Sequence, residues 1–174
     1  PDDRGRNYES KKMMCYIRIV DSFGFLLSSL ENNTEALKAK HPDNYKLSFP
    51  VTYRVLKNCC NFTDEQITLA LQKNAYPYLW FTDHSKFDRP ITDLDELFDN
   101  NRYEAFTEDV TDACKVKFER MKDIYHQVRD AFNFRTVKQY CELYMAMDVL
   151  QLCDEMEFNR ETYRGTHKLD PFSS

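Results

Sequence analysis

Two long runs with helical periodicity, Thr107 to Asn133 and Thr136 to Thr162, stand almost end to end in this chain of 174 residues. In the first, Val110, Cys114, Phe118, Met121, Tyr125 and Val128 recur at steps of three or four, which places them on one helical face. The second carries an almost continuous apolar stripe. Only Asn133-Phe134-Arg135 separates the two runs, so they are expected to fold back on each other as an antiparallel pair.

The rest of the chain is more broken. Residues 1–12 are a charged lead-in. Met13 to Asp21 (MMCYIRIVD) is β-branched and aromatic and predicts a strand. A helix is expected from about Ser28 to Lys40, then a loop at His41-Pro42-Asp43-Asn44. Thr63-Asp64-Glu65-Gln66 is a capping box, opening a helix to about Asn74 with Ile67, Ala70 and Leu71 turned inward. Ala75 to Pro90 reads as extended and irregular, and Leu94 to Phe98 as one helical turn at most. The chain is therefore expected to be mostly helical, with one strand or a few.

Composition excludes several functions. The three glycines are Gly5, Gly24 and Gly165, so neither G-x-G-x-x-G nor G-x-x-x-x-G-K-[ST] can be written, and a glycine-rich phosphate cradle is ruled out. The formal charge is −5, whereas a small module held on nucleic acid by electrostatics alone is usually basic. The basic surface of such a partner would have to be local or lie in other sequence. No run of apolar residues is long enough for a membrane span. The polar N-terminus lacks the apolar stretch of a secretory signal. The six cysteines form no C-x-x-C, so zinc is disfavoured and reduced thiols in an intracellular protein are expected. Starting at Pro1 and stopping at Ser174 without a closing feature, the chain reads as an excerpt of something longer.

The last helix holds an anomaly. Tyr140, Tyr144, Asp148 and Leu152 follow at four-residue steps and line one side. Asp148 thus sits among large apolar groups, where an ionised carboxylate costs several kcal/mol unless it is paired or metal-bound. One reading has it bonding a backbone amide or an arginine, or lying at the stripe's edge. The other makes it a metal-ligating acid, with Tyr144 one turn earlier positioning a water that attacks a phosphate. One Asp cannot hold two ions, so partner acids would come from elsewhere.

Tyr-x-x-x-Asp within YCELYMAMDVLQLCDEME resembles the third exonuclease motif of family B DNA polymerases, in the protein-primed, organellar and viral branch found in virus-like transposons. Three further segments resemble that branch in the same order. They are Ile19 to Leu30 (IVDSFGFLLSSL), Leu71 to Tyr78 (LQKNAYPY) and His167-Lys168-Leu169-Asp170-Pro171. The resemblance implies an α/β fold, the C-terminal part of an RNase H-like exonuclease domain, mostly helical within this stretch. It divides the chain into a disordered lead-in (1–12), an exonuclease segment (13–80), a helical insertion or linker (81–135), the third-motif helix (136–160) and the approach to the polymerase domain (161–174).

The implied activity is a DNA-directed DNA polymerase, a nucleotidyltransferase of DNA replication, with a 3′→5′ proofreading exonuclease. Carried over position by position, Asp148 ligates Mg2+ or Mn2+, Tyr144 orients the nucleophilic water, and Lys73 neutralises charge at the scissile phosphate. Without the resemblance, Lys73 reads as a solvated lysine at a helix end. Ser22 and Phe23, in Ser22-Phe23-x-x-Leu26, match the element that holds the single-stranded primer end. Phe23 stands where Leu is usual. Ser29-Leu30 is a second register, with Asn33 where an apolar residue should be, and for Ser22 a simple turn or cap role stands beside the ligand role. The implied partners are a DNA primer-template, its single-stranded 3′ end, deoxynucleoside triphosphates and a protein primer, with no membrane.

The first and second exonuclease motifs, an Asp-x-Glu and an Asn followed by an Asp, would lie before Pro1. The paired polymerase aspartates would lie after Ser174. The excerpt alone is therefore expected to be inactive. Two rival readings are a helical interaction module without chemistry and a decayed, transposon-derived relic.

Overall fold

The computed structural model describes residues 29–72 and 74–168. The expected strand at Met13–Asp21, together with Ser22, Phe23 and Lys73, lies outside the described residues, as does the stretch from Leu169 onward. Within them helix predominates and no strand forms. The helices are α1 (Leu30–Lys40), α2 (Tyr45–Ser48), α3 (Pro50–Asn58), α4 (Asp64–Ala70), α5 (Thr92–Asp99), α6 (Asp112–Phe132) and α7 (Val137–His167), with 3-10 turns at His84–Asp88 and Tyr103–Ala105.

Local chemistry sets most of these limits. The Ser29 hydroxyl accepts the Asn32 N–H at 3.3 Å and opens α1. The Thr63–Gln66 capping box forms as its sequence predicts, through bonds of 3.0 and 3.1 Å. Ile67, Ala70 and Leu71 are buried behind it. α4 stops at Ala70 rather than near Asn74, because Ala75 is drawn into the core with its carbonyl bonded to the Tyr140 hydroxyl. α6 starts five residues later than its periodicity suggests, where the Thr111 hydroxyl accepts the Cys114 N–H at 3.2 Å. Val110 consequently lies outside the helix and is exposed. Two turns of helix form at α5, where one at most was expected, since Leu94, Leu97 and Phe98 all find core positions. Asn133 ends α6 at φ 50°, a left-handed conformation that Asn tolerates.

α7 is the spine. Its first amide, Val137 N–H, donates to the Arg89 carbonyl at 3.0 Å, while Ile91 N–H donates to Arg135 at 3.0 Å. That short antiparallel pairing satisfies one of the donors that a helix start leaves open. Val137, Tyr140 and Cys141 then join a core with Ile91, Leu94, Phe98, Phe118 and Tyr125, in which Phe98 and Tyr125 stack at 4.1 Å. Much of 81–135 thus packs on the first turns of α7. Farther along, Leu143 and Met147 enter a second core with Leu37, Phe49, Leu56, Ile67, Leu71, Ile124 and Val128. Burying each such side chain contributes about 1.5–3 kcal/mol. α6 and α7 meet through side chains, Tyr125 against Tyr140 at 5.3 Å, whereas the close backbone approaches of α7 are to α1, α3 and the turn at His84–Asp88.

Two acids fasten the far half of α7. Asp154, 3% exposed, accepts the Val51 N–H at 2.7 Å and the Thr52 N–H at 2.9 Å. It caps α3, whose own preceding residue, Phe49, has no capping side chain. Glu155, 1% exposed, accepts the Thr34 hydroxyl at 2.9 Å and ties α1 to α7. Burial pushes the Glu155 carboxyl above its ordinary range, against the opposing bonds from Thr34 and Asn33, and the neighbouring Asp154 adds to the rise.

Asp154→Ala is expected to lower stability by about 2 kcal/mol, since it removes both charge-assisted caps at once. A raised carboxyl favours the protonated fold, so its contribution is complete below the ordinary value of 4.5 and is lost as the pH rises through the raised one. Glu155→Gln, which resembles the protonated form, should therefore be more stable than the parent at mildly alkaline pH. The gap should close near pH 4.5 in urea melts, and a gap independent of pH would contradict this.

Candidate functional site

Tyr140 and Tyr144, one turn apart on α7, organise the segment that follows α4. The Tyr140 hydroxyl holds the Ala75 carbonyl, which places Tyr76 against Tyr144 with ring centroids 4.8 Å apart. Tyr76 also stacks on Phe81 at 5.1 Å. Tyr78 turns back so that its hydroxyl lies 3.0 Å from the Tyr144 hydroxyl. The aromatic density of Ala75 to Pro90 is thus a wall built on α7.

This wall borders a cleft of about 360 Å³. Ser29 and, from α1, Leu30, Thr34, Glu35 and Lys38 form one side, and Ala70, Gln72 and Asn74 at the exit of α4 form another. Tyr144, Met147, Asp148 and Gln151 of α7 complete it with Tyr78. Asp148 is half-buried at this opening rather than enclosed in the apolar stripe. Burial, the Tyr78 hydroxyl and the nearby Asp148 charge, in that order, push the Tyr144 phenol well above its usual range. It is a neutral hydroxyl, able to donate or to accept. Burial likewise pushes the Cys141 thiol beneath the wall up to about 11, so it is an unreactive packing group.

Tyr144 and Asp148 therefore share one cleft. Lys73 lies outside the described residues, but its neighbours Gln72 and Asn74 both line that cleft. Ser22 and Phe23 also lie outside. The second register, Ser29-Leu30, reaches the cleft, with Ser29 acting as the cap of α1.

Sequence reasoning missed Lys38, which stands in the cleft wall and pairs with Glu35 at 3.1 Å. It also missed Gln72, Asn74 and Gln151, which line the cleft. The Asn74 Oδ1 is buried without a hydrogen-bond partner among the described residues. The i,i+3 spacing of Glu35 and Lys38 was visible, but nothing local placed it opposite Asp148. Among the described residues no group of three His, Cys, Asp or Glu side chains could hold a metal ion. Asp148 offers one hard carboxylate, the ligand type that suits Mg2+ or Mn2+, and further acids would have to join it. Two carboxylates, Glu35 and Asp148, stand in the cleft wall with a neutral phenol and one lysine.

Compared with known proteins, the chain matches no family model, no curated protein and no solved structure. No helix among the described residues is long and apolar enough to cross a membrane.

The hydroxyl contacts around the wall have unequal weight. Tyr140→Phe leaves a buried carbonyl unpaired and is expected to cost about 1–2 kcal/mol, with faster amide exchange over residues 75–78. Tyr78→Phe, at an exposed position, should change stability by less than about 0.5 kcal/mol.

Proposed function

We propose that this chain is part of a family B DNA polymerase of the protein-primed, organellar and viral branch, and that the Tyr144–Asp148 cleft is one wall of its RNase H-like 3′→5′ exonuclease site. One observation carries the reading. Tyr144 and Asp148 were singled out on the sequence of one helix, and Lys73 on a segment about seventy residues earlier. The residues on either side of Lys73 line the same cleft as the other two. A helix pair without chemistry has no need of that convergence.

In this reading Asp148 supplies one carboxylate to a divalent ion, with the remaining acids contributed by the first and second motifs in the longer protein. The bound ion provides charge neutralisation at the phosphate and an activated water. The neutral Tyr144 hydroxyl, held in place by Tyr76 and Tyr78, fixes the position of that water by hydrogen bonding. Lys73 places a point charge at the scissile phosphate. Terminal mismatches are removed preferentially because fraying them costs less than fraying a paired end. The polymerase domain, with its primer-template and deoxynucleoside triphosphates, belongs to sequence after this stretch.

A second reading, a helical interaction module, has one observation in its favour. Met145 and Val149, at four-residue spacing on α7, are 60% and 61% exposed.

The two readings separate when the coding DNA on both sides is translated in frame. The polymerase reading expects an upstream Asp-x-Glu, then an Asn and Asp pair, and paired aspartates downstream. An open frame without those acids overturns it and favours the interaction module, and stop codons close to both ends would mean a relic.

A further inference from the structure

Beside the cleft, α7 turns an apolar stripe outward. Met145, Val149, Leu152 and Met156 follow at steps of four, three and four, the spacing of one helix face. Met145 and Val149 are 60% and 61% exposed, and Leu152 and Met156 are half-buried. The exposed Glu142 and Asn159 bound the stripe at its two ends. Single exposed apolar side chains are ordinary, but a contiguous row of them marks a surface made to be covered.

The point where the described chain begins identifies the cover. Ser29 and Leu30 line the cleft with Tyr144, Met147, Asp148 and Gln151, so α1 starts against this part of α7. It continues along α7 through the Thr34–Glu155 bond to Lys40, whose Nζ stands 3.0 Å from the centre of the Phe158 ring. At about 100° per residue, Leu152 and Met145 lie only about 40° and 60° round the helix from Asp148. Crossing a helix takes about 10 Å, which three or four extended residues span. The residues just ahead of Ser29 are Phe25-Leu26-Leu27-Ser28, so apolar side chains of the right kind stand at the right distance along the chain.

A second copy of the chain is less suited to the stripe. Four side chains at roughly 100 Å² each fall well short of the about 800 Å² per partner of a stable interface. A tethered segment needs no such area, because binding within one chain avoids most of the entropy cost of association.

We propose that Phe25, Leu26 and Leu27 lie across α7 and cover Met145, Val149 and Leu152, extending the contact of α1 with α7 toward the N-terminus. The inference holds whether or not the cleft is an exonuclease site. It also takes away the observation that favours an interaction module, since Met145 and Val149 then belong to a contact within the chain.

The test is maleimide labelling of Val149→Cys and Val116→Cys, each made separately in the full chain. Peptide mass mapping reads the introduced thiol apart from the native cysteines. Val116, 75% exposed on α6, is the open reference. Thiol labelling follows access, so position 149 is expected to react about tenfold or more slowly than position 116, at any protein concentration. Adding Leu26→Asp/Leu27→Asp should bring the two rates within about threefold, with circular dichroism checking that the helices remain. If that variant loses its helices, a short bismaleimide on Leu27→Cys/Val149→Cys decides. It should link the two positions within one chain, at least about tenfold more than in Leu27→Cys/Val116→Cys, and equal linking would overturn the proposal. Equal labelling at 149 and 116 without the aspartates, or protection that survives them in a folded protein, would overturn it too. So would protection that grows with protein concentration, which would identify a second copy as the occupant.

Discussion

A helix committed to two cores cannot turn about its own axis, and α7 is such a helix. Val137, Tyr140 and Cys141 are buried among the aromatic groups of α5 and α6, and Leu143 and Met147 among the aliphatic groups of α1, α3 and α4. A shift of one residue would rotate every one of them by about 100°. Asp154 and Glu155 add a second constraint, because their carboxylates bond the start of α3 and Thr34 of α1. Leaving either carboxylate buried without those bonds would be costly. Tyr144 and Asp148 lie between these fixed points. Their presentation to the cleft is a consequence of packing on either side of them.

The same dependence explains what the sequence could and could not reveal. The start of α4 is written in its own four residues, Thr63 to Gln66, and local reasoning finds it. The start of α3 is not, since its cap is a carboxylate about a hundred residues away in sequence. Pro50 at the first helical position is a local sign, but without a local cap no helix is expected over 45–58. Asp154 and Glu155 went unremarked because, in a segment crowded with charge, their spacing resembles a solvated face. Asp148 was noticed because large apolar groups surround it in the helix. The structure places it half-buried at the cleft instead, since α7 is left uncovered there by α1 and the exit of α4.

The candidate site was legible as two residues on one helix and only partly as a site. Tyr144 and Asp148 stand out by their spacing, and their roles come from the resemblance. Their neighbours Gln72, Asn74, Lys38 and Gln151 come from three elements, and nothing in any single window shows that these elements meet. Tyr76 and Tyr78 support Tyr144 because the Tyr140 hydroxyl captures the Ala75 carbonyl, a long-range bond that no periodicity encodes.

The most direct measurement is excision of a mismatched primer 3′ end by the intact gene product, comparing the parent with Asp148→Asn in Mn2+ or Mg2+. The account predicts that excision falls by about three orders of magnitude or more, as expected when a metal-ligating acid is lost, while primer extension and folding are retained. Excision at the parental rate in Asp148→Asn would contradict it, and would return Asp148 to the role of a packed helix residue at the edge of a cleft.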